Sequence, residues 1–545
     1  MNVQHNGRLS IIFIGFILLY VLVLFNLYIL QIRKSRFYKA LGSKQYHVTV
    51  TIMPPRAEIY DRTGVQPLAM NKESLSAFIM PSRLEDIKAV KTFLARHFPL
   101  AYERFKKSKQ LHFMYIKRRL SPQQVIAIEK SGLTDIKLLK EPSRFYPIPS
   151  IGPIIGITDI DNQGIFGIEL LHNAQLSGKS STYLLQKDCR SGHFYFKRET
   201  KVQGTQGEPV TLSIDSVLQF LAYEELKETV EQLGSQEGSV LITNPDTGEI
   251  IVMANYPDFN PNETEQLDVA HTKNRSITDA YELGSVIKAF LALAAFEDKV
   301  VSPDEYIDCE NKTVTTLEGI KFSTYKAHGV IPFSEVIQFS NNVGVAKIAQ
   351  RIGTNLYEHY KKLGFGQKTG IFPGENKGFI NPPTQWSKAS LISLSFGYEI
   401  SANLVQLAQA LSIIANDGYL IRPRLLKIGN DEVIKKEGPF YSKESIKQMK
   451  EILHKTITEG ATKKANLQGY DIMGKTGTAR LLTNGVYDPN RHIFTFMAIV
   501  QKGAYKRIII TFLKETTKKG LMASTTAVPL FEKIAHKMLI HDKIV

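Results

Sequence analysis

Between residues 11 and 30 the chain carries no charge, and only Gly15, Tyr20, Asn26 and Tyr28 interrupt a run of Ile, Leu, Val and Phe. At about 1.5 Å per residue a helix of that length spans about 30 Å, the thickness of a hydrocarbon core. A soluble core helix keeps a polar face, and this one has none. A cleaved signal sequence calls for a shorter apolar run followed by small residues, whereas Gln31-Ile32-Arg33-Lys34-Ser35-Arg36 follows here. The pattern predicts a retained single anchor over 10–31 after a short tail, 1–9. No later segment reads as a second span.

Beyond the anchor the period changes. Residues 48–52 alternate as a strand, and Pro54-Pro55 and Tyr60-Asp61-Arg62-Thr63-Gly64 mark turns. Residues 66–150 alternate short strands with basic amphipathic stretches such as 86–97 and 122–131. Turn clusters at 158–164 and 204–208 mark seams. From Pro209 onward the pattern predicts a strand over 210–214 and an amphipathic helix over 216–233. A hairpin follows, 238–242 with 249–254, around Pro245-Asp246-Thr247-Gly248. After long helical patterns, strands return at 493–501 and 507–513, and a helix closes the chain over 528–539. A helix–hairpin start, a helical middle and a β-rich end predict an α/β (α+β) domain with a mixed sheet flanked by helices.

Composition narrows the function classes. The 545 residues hold 43% hydrophobic and 22% charged side chains, which excludes wholesale disorder. Two cysteines, Cys189 and Cys309, exclude a disulfide-dense scaffold and a four-cysteine zinc site. The sequence does not fix whether they pair. With 68 Lys+Arg against 52 Asp+Glu the formal charge is +16, which suits nucleic acid, an anionic membrane or phosphate-bearing substrates. Nucleic-acid binding calls for a basic recognition helix or aromatic-basic interleaving, and the chain has neither. Around the anchor, Arg8 stands against Arg33, Lys34, Arg36 and Lys39. By that count alone the large C-terminal part belongs in the cytoplasm.

Three short segments carry chemistry. In Tyr281-Glu282-Leu283-Gly284-Ser285-Val286-Ile287-Lys288 a glycine turn opens an apolar helical run. Ser285 and Lys288 then share a helix face. A serine hydroxyl needs an adjacent base to become a nucleophile, and a desolvated lysine can be one. Alone, the pair reads more readily as a capping serine followed by a surface lysine. Ser340-Asn341-Asn342, before a helical run, adds a hydroxyl and a carboxamide. Lys475-Thr476-Gly477-Thr478, before β-type segments, offers a cation and hydroxyls for a carboxylate and a glycine for close approach. A second such string, Lys368-Thr369-Gly370, lies among glycines with no strand before it and reads as a loop. The order S-x-x-K, S-x-N, K-T-G forms one constellation.

With these motifs the chain resembles a class B penicillin-binding protein, a peptidoglycan D,D-transpeptidase of the superfamily that includes serine β-lactamases. The resemblance runs nearly end to end. Arg56-Ala57-Glu58-Ile59-Tyr60-Asp61-Arg62-Thr63-Gly64 is similar to the family's R-G-x-I-x-D-R-N-G. Arg144-Phe145-Tyr146-Pro147 and Gly164-Ile165-Phe166-Gly167-Ile168-Glu169 are similar to landmarks of its pedestal. Asn274-Arg275-Ser276-Ile277-Thr278-Asp279 and Ser395-Phe396-Gly397-Tyr398 resemble the septal, FtsI-like branch, which implies a role in cell division. Ala57, Leu283, Ala289 and Glu399 depart from the pattern without removing a catalytic side chain.

The resemblance implies an elongated pedestal or dimerisation-type domain over 32–206 and a transpeptidase domain over 207–545. It implies that Ser285 attacks the D-Ala-D-Ala stem peptide with Lys288 as base. Ser340 would relay a proton and Asn342 would hold the peptide amide. Lys475 and Thr476 would bind the terminal carboxylate, beside Gly477 and Thr478, and the Ser285 and Thr478 backbone N–H groups would form the oxyanion hole. It implies no cofactor or metal. Its implied partners are stem peptides, β-lactams as covalent inhibitors, the bilayer, a SEDS-type glycosyltransferase and other divisome proteins. It also places the catalytic part outside the bacterial inner membrane, against the charge count. A class A enzyme would carry an E-D-x-x-F glycosyltransferase signature, and the string Glu85-Asp86 lacks its surroundings. A β-lactamase would need a deacylating base after Ser340, and a β-lactam sensor several spans and a zinc protease motif. A catalytically idle scaffold of the division complex is the alternative reading.

Overall fold

The computed structural model describes residues 4–107, 113–187, 195–265, 267–460, 462–483 and 485–544. Cys189 lies outside them. Cys309 is a free, buried thiol. The chain divides into two compact units, residues 1–57 with 177–208, and residues 58–176 with 209–545.

In the first unit the apolar run forms the helix Gln4–Tyr28, which continues through a wider turn, Ile29–Arg33, into the helix Ser35–Tyr46. Over Gly7–Arg33 the mean hydropathy is 2.7 and nothing is buried; among the described residues it is the one segment long and apolar enough to cross a membrane. The strand His47–Ile52 pairs antiparallel with Ser181–Lys187, which pairs with Tyr195–Val202. Arg56 donates from Nη1 to the Ser177 hydroxyl at 2.8 Å.

The second unit contains two five-stranded sheets. The first runs Met114–Lys117, Pro67–Ile79, Ile59–Tyr60, Val210–Thr211, with Lys137–Phe145 also on Pro67–Ile79. Its one parallel pairing joins Ile59–Tyr60 to Val210–Thr211. The helices Ile87–His97 and Pro122–Ser131 start at side-chain caps from Asp86 and Ser121. They bury Val90, Leu94 and Ile128 with Met114 and Ile116 in a small core. Two of the pedestal landmarks meet here: Arg144 Nε donates to Glu169 Oε1 at 2.7 Å, both side chains being buried.

The second sheet positions the site. It is built from β1 (Glu237–Thr243), β2 (Ile250–Tyr256), β3 (Asp471–Thr483), β4 (Val486–Lys502) and β5 (Tyr505–Lys514). The spatial order is β2-β1-β5-β4-β3, antiparallel throughout, so β3 is an edge strand. Helix α1 (Ser216–Leu233) starts where Asp215 accepts from the N–H groups of Val217 and Leu218, and stops at Gly234, φ 58°. Together with the closing helix, Ala527–His541, it packs on one face of the sheet, where Leu226, Val240, Phe496, Phe531 and Met538 share a core. Against these stand helices α2 (Lys288–Glu297), α3 (Asn342–Ile352), α4 (Leu404–Ala415) and α5 (Lys443–Thr458). Residues 288–296 of α2 are all buried, as a helix apolar on every side must be. Lys288 is the exception in that apolar helix, and it begins the site.

Candidate active site

The three motif segments line one cleft of about 470 Å³. Gly284–Ile287 is a tight 3₁₀ turn that hands over to α2 at Lys288, so Ser285 sits on the turn at the cleft wall. Gly284 takes φ +61°, and a Cβ there would meet that of Ala479 on β3 at 2.9 Å. From the other side, a Cβ on Gly477 would meet the Leu283 carbonyl oxygen at 2.4 Å. Two glycines thus let the edge strand lie directly against the serine turn. Along β3, Lys475, Thr476 and Thr478 all line the cleft; the two threonines are half-buried, whereas Lys475 and Gly477 are buried.

Lys288 is fully buried and has no ion-pair partner among the described residues. Its Nζ lies 2.6 Å from the Ser340 carbonyl oxygen, 2.5 Å from Asn342 Oδ1 and 3.2 Å from Ser340 Oγ. None of the three contacts reaches the Ser285 hydroxyl. Burial, reinforced by the nearby charge of Lys475, holds the Lys288 ammonium well below the ordinary lysine range. Lys475 is also buried, and desolvation brings it down to about 8. Its Nζ donates to Ser340 Oγ at 3.1 Å and to the Thr476 carbonyl at 3.2 Å.

One hydroxyl therefore joins two lysines. Two ammonium groups on one oxygen repel, and burial together with the Lys475 charge favours the neutral amine at Lys288. A neutral Lys288 keeps two N–H groups for Ser340 O and Asn342 Oδ1 and offers its lone pair to the Ser340 hydroxyl. That hydroxyl accepts from the Lys475 ammonium. Such a chain of three groups, with an amine at one end and a cation at the other, has the geometry to pass a proton. Ser340 is held for this in the left-handed region, φ 58°, which costs a non-glycine residue about 1–2 kcal/mol. Asn341 caps α3 by accepting from Gly344 N–H at 3.0 Å. Asn342 is oriented by chemistry: its Oδ1 faces Lys288 while Nδ2 donates to the Ser323 carbonyl at 2.6 Å.

All eight sequence-predicted residues, Ser285, Lys288, Ser340, Asn342 and Lys475 to Thr478, are thus brought together. The Lys368-Thr369-Gly370 string is a loop whose Thr369 and Gly370 N–H groups bind the Glu375 carboxylate. Glu399, at a position where the resembled pattern has glycine, adopts φ 57°, and its N–H donates to Glu282 Oε1 at 2.8 Å.

Other lining residues carried no motif. His328 faces the cleft, lies 3.2 Å from Asn341 Nδ2 and stacks on Phe339 at 5.1 Å. Burial, with the charge of Lys326, lowers it from the ordinary histidine value and favours the neutral ring. Thr456, in the last turn of α5, bonds through Oγ1 to the Gly474 carbonyl and so ties that helix to β3. Nothing in the local sequence marks either residue, because each is placed by tertiary packing alone.

With this geometry in hand, three kinds of comparison agree. Residues 238–536 match the family described as the penicillin-binding protein transpeptidase domain, and residues 51–212 match the penicillin-binding protein dimerisation domain. A protein of Neisseria meningitidis named probable peptidoglycan D,D-transpeptidase PenA is 30% identical over 543 residues, 97% of this chain and 92% of the relative. Peptidoglycan D,D-transpeptidase FtsI of a Buchnera aphidicola strain is 29% identical over 564 residues, covering 99% of this chain and 96% of its own length. Among solved structures, a peptidoglycan synthetase from Bifidobacterium adolescentis has the same fold, with a TM-score of 0.69 at 20% identity over 91% of this chain and 97% of that one.

Proposed function

The chain belongs to the penicillin-binding transpeptidase family, and from that premise we propose that it is a peptidoglycan D,D-transpeptidase working through a serine acyl-enzyme. The observation that carries the reading is the buried Lys288, held well below the ordinary lysine range and joined through the Ser340 hydroxyl to Lys475 in the cleft that holds Ser285.

In the proposed reaction the neutral Lys288 amine takes the Ser285 proton as Oγ attacks the carbonyl of the penultimate D-Ala. The carbonyl oxygen becomes an oxyanion held by the N–H groups of Ser285 and Thr478, each worth about 3–4 kcal/mol in such a step. As the C–N bond breaks, Ser340 passes a proton to the departing D-Ala. The amine of a neighbouring stem then attacks the ester, loses its proton along the same path and leaves an amide cross-link with Ser285 regenerated. Lys475 and Thr476 hold the terminal carboxylate. The free edge of β3, with Gly477 and Thr478, accepts the extended peptide as an added strand. Asn342 Nδ2, which serves the Ser323 carbonyl, exchanges that partner for the substrate amide. A β-lactam uses the same attack and stays bound as an ester.

The anchor is 10–31, followed by a pedestal to about residue 206 and the catalytic domain from about 207. The catalytic part works outside the bacterial inner membrane as a single-pass protein. Its place in cell division, with a SEDS-type polymerase and other divisome proteins, follows from the septal-type motif at 274–279 and the FtsI-named relative. The test is turnover. The purified chain, given a D-Ala-D-Ala stem peptide and a glycine-type amine acceptor, releases D-Ala and forms the new amide in equal amounts, and Lys288→Ala abolishes both. Free D-Ala without amide points to a carboxypeptidase instead.

A further inference from the structure

Away from the cleft the second unit holds a larger groove of about 840 Å³, where residues 61–66 and the Pro147–Ser150 turn face α1 and the segment after β2. We infer that this groove is a docking site for a basic amphipathic segment of a partner protein, one that presents a lysine or arginine beside an aromatic or aliphatic side chain.

Four observations lead there. The first is charge. In a chain of +16, the groove is lined by three carboxylates, Asp61, Glu224 and Asp258, and by no lysine or arginine among the described residues. Asp61 is already engaged, accepting from Thr63 and from the Ser216 hydroxyl at 2.7 Å. Asp258 accepts from the Tyr223 hydroxyl at 2.7 Å and has no ion-pair partner among the described residues, and Glu224 is exposed at the rim. Burial raises the Asp258 carboxyl to about 6, outweighing the Tyr223 hydrogen bond and the more distant charges of Lys227 and His271, so at neutral pH it is a partly desolvated anion that these groups compensate only in part. A cation would compensate it.

The second is the apolar surface. Phe220 is 51% exposed, Val217 52% and Val65 79%, and all three line the groove together with the buried Phe259. Scattered exposed apolar residues are ordinary, but these converge on one concavity. Phe220 and Tyr223 add aromatic rings to the lining that holds Asp258, and aromatic rings attract cations. The third is Ser150, which is 94% buried at the groove with a hydroxyl that has no hydrogen-bond partner. A buried hydroxyl left unpaired is costly, and a peptide amide entering the groove would satisfy it. The fourth is size: this volume takes two or three side chains, which suits a short segment.

The test uses the full chain in lipid nanodiscs and a photo-crosslinking probe, acetyl-benzoylphenylalanyl-arginine amide, with the glutamate analogue as its charge-reversed control. The arginine probe should crosslink saturably to residues 217–224 and 258–260, with equal yield after Ser285 is acylated by ampicillin. The glutamate probe should not. Truncating one partner of a desolvated charge pair weakens binding by about tenfold or more, and Asp258→Asn should show that loss. Phe220→Ser, at an exposed position that spares the core, should lose comparable affinity, and melting temperatures check that both variants fold. Crosslinks that map elsewhere, compete with ampicillin, or persist undiminished in both variants would overturn the proposal.

Discussion

A lysine without a counter-ion in a protein interior is an expense, and this site contains two. Lys475 is lowered from the ordinary 10.5 to about 8 by desolvation, which corresponds to about 3 kcal/mol of destabilisation at neutral pH. Because the folded value lies below the unfolded one, the unfolded state binds more protons between about pH 8 and 10.5, and stability rises with pH across that window. Replacing Lys475 by Met removes the charged group, so the variant should be the more stable at pH 7. Its advantage should shrink as pH is raised to 10.5, as read from denaturant titrations. Penicillin acylation by the wild type should fall above about pH 8, as the cation that holds the carboxylate is lost. Ser340, at φ 58°, adds backbone strain at the same spot. Strain and uncompensated charge gathered on one hydroxyl are what a functional site costs in stability.

At the scale of elements the decisive contact is between the edge strand and the serine turn. A Cβ on Gly477 would sit 2.4 Å from the Leu283 carbonyl, so Gly477→Ala must push β3 and the turn apart. A displacement near 1 Å costs about a hundredfold in rate. The variant should keep its melting temperature within a few degrees while its acylation rate falls by that order in stopped-flow labelling. The elements themselves were legible beforehand. Residues 216–233 form α1 with the predicted bounds, because Asp215 and Gly234 punctuate the apolar period. The hairpin around Pro245–Gly248 forms as β1 and β2, and the motif strand lies at the sheet edge. The strand predicted over 210–214 is shorter, Val210–Thr211, because Leu212 and Ser213 exchange that ladder for isolated pairing with Leu426 and Leu425 before Asp215 caps α1. The bridge through Ser340 was not legible. Its partners lie 52 and 135 residues away in sequence, and only packing sets the distances. His328 and Thr456 were hidden for the same reason, having no periodic or motif signal of their own.

For the whole molecule, the charge of +16 and the anchor pull in different directions. Arg33, Lys34, Arg36 and Lys39 follow the apolar helix and, counted alone, would hold the remainder in the cytoplasm. Large domains translocate with little regard to such counts, and the proposed substrate lies outside. External protease added to intact spheroplasts should therefore degrade the second unit while a cytoplasmic marker survives; an intact second unit would place it inside. Much of the positive charge is solvated surface, and the groove beside α1 runs against it as a local acidic site.

The central claim is that Ser285 becomes acylated, and intact-protein mass spectrometry after brief exposure to ampicillin tests it most directly. A mass gain of one ampicillin is expected, stable to denaturation, mapped by peptide fragmentation to Ser285 and absent in Ser285→Ala. An unshifted mass, or an adduct that persists in Ser285→Ala, would contradict it.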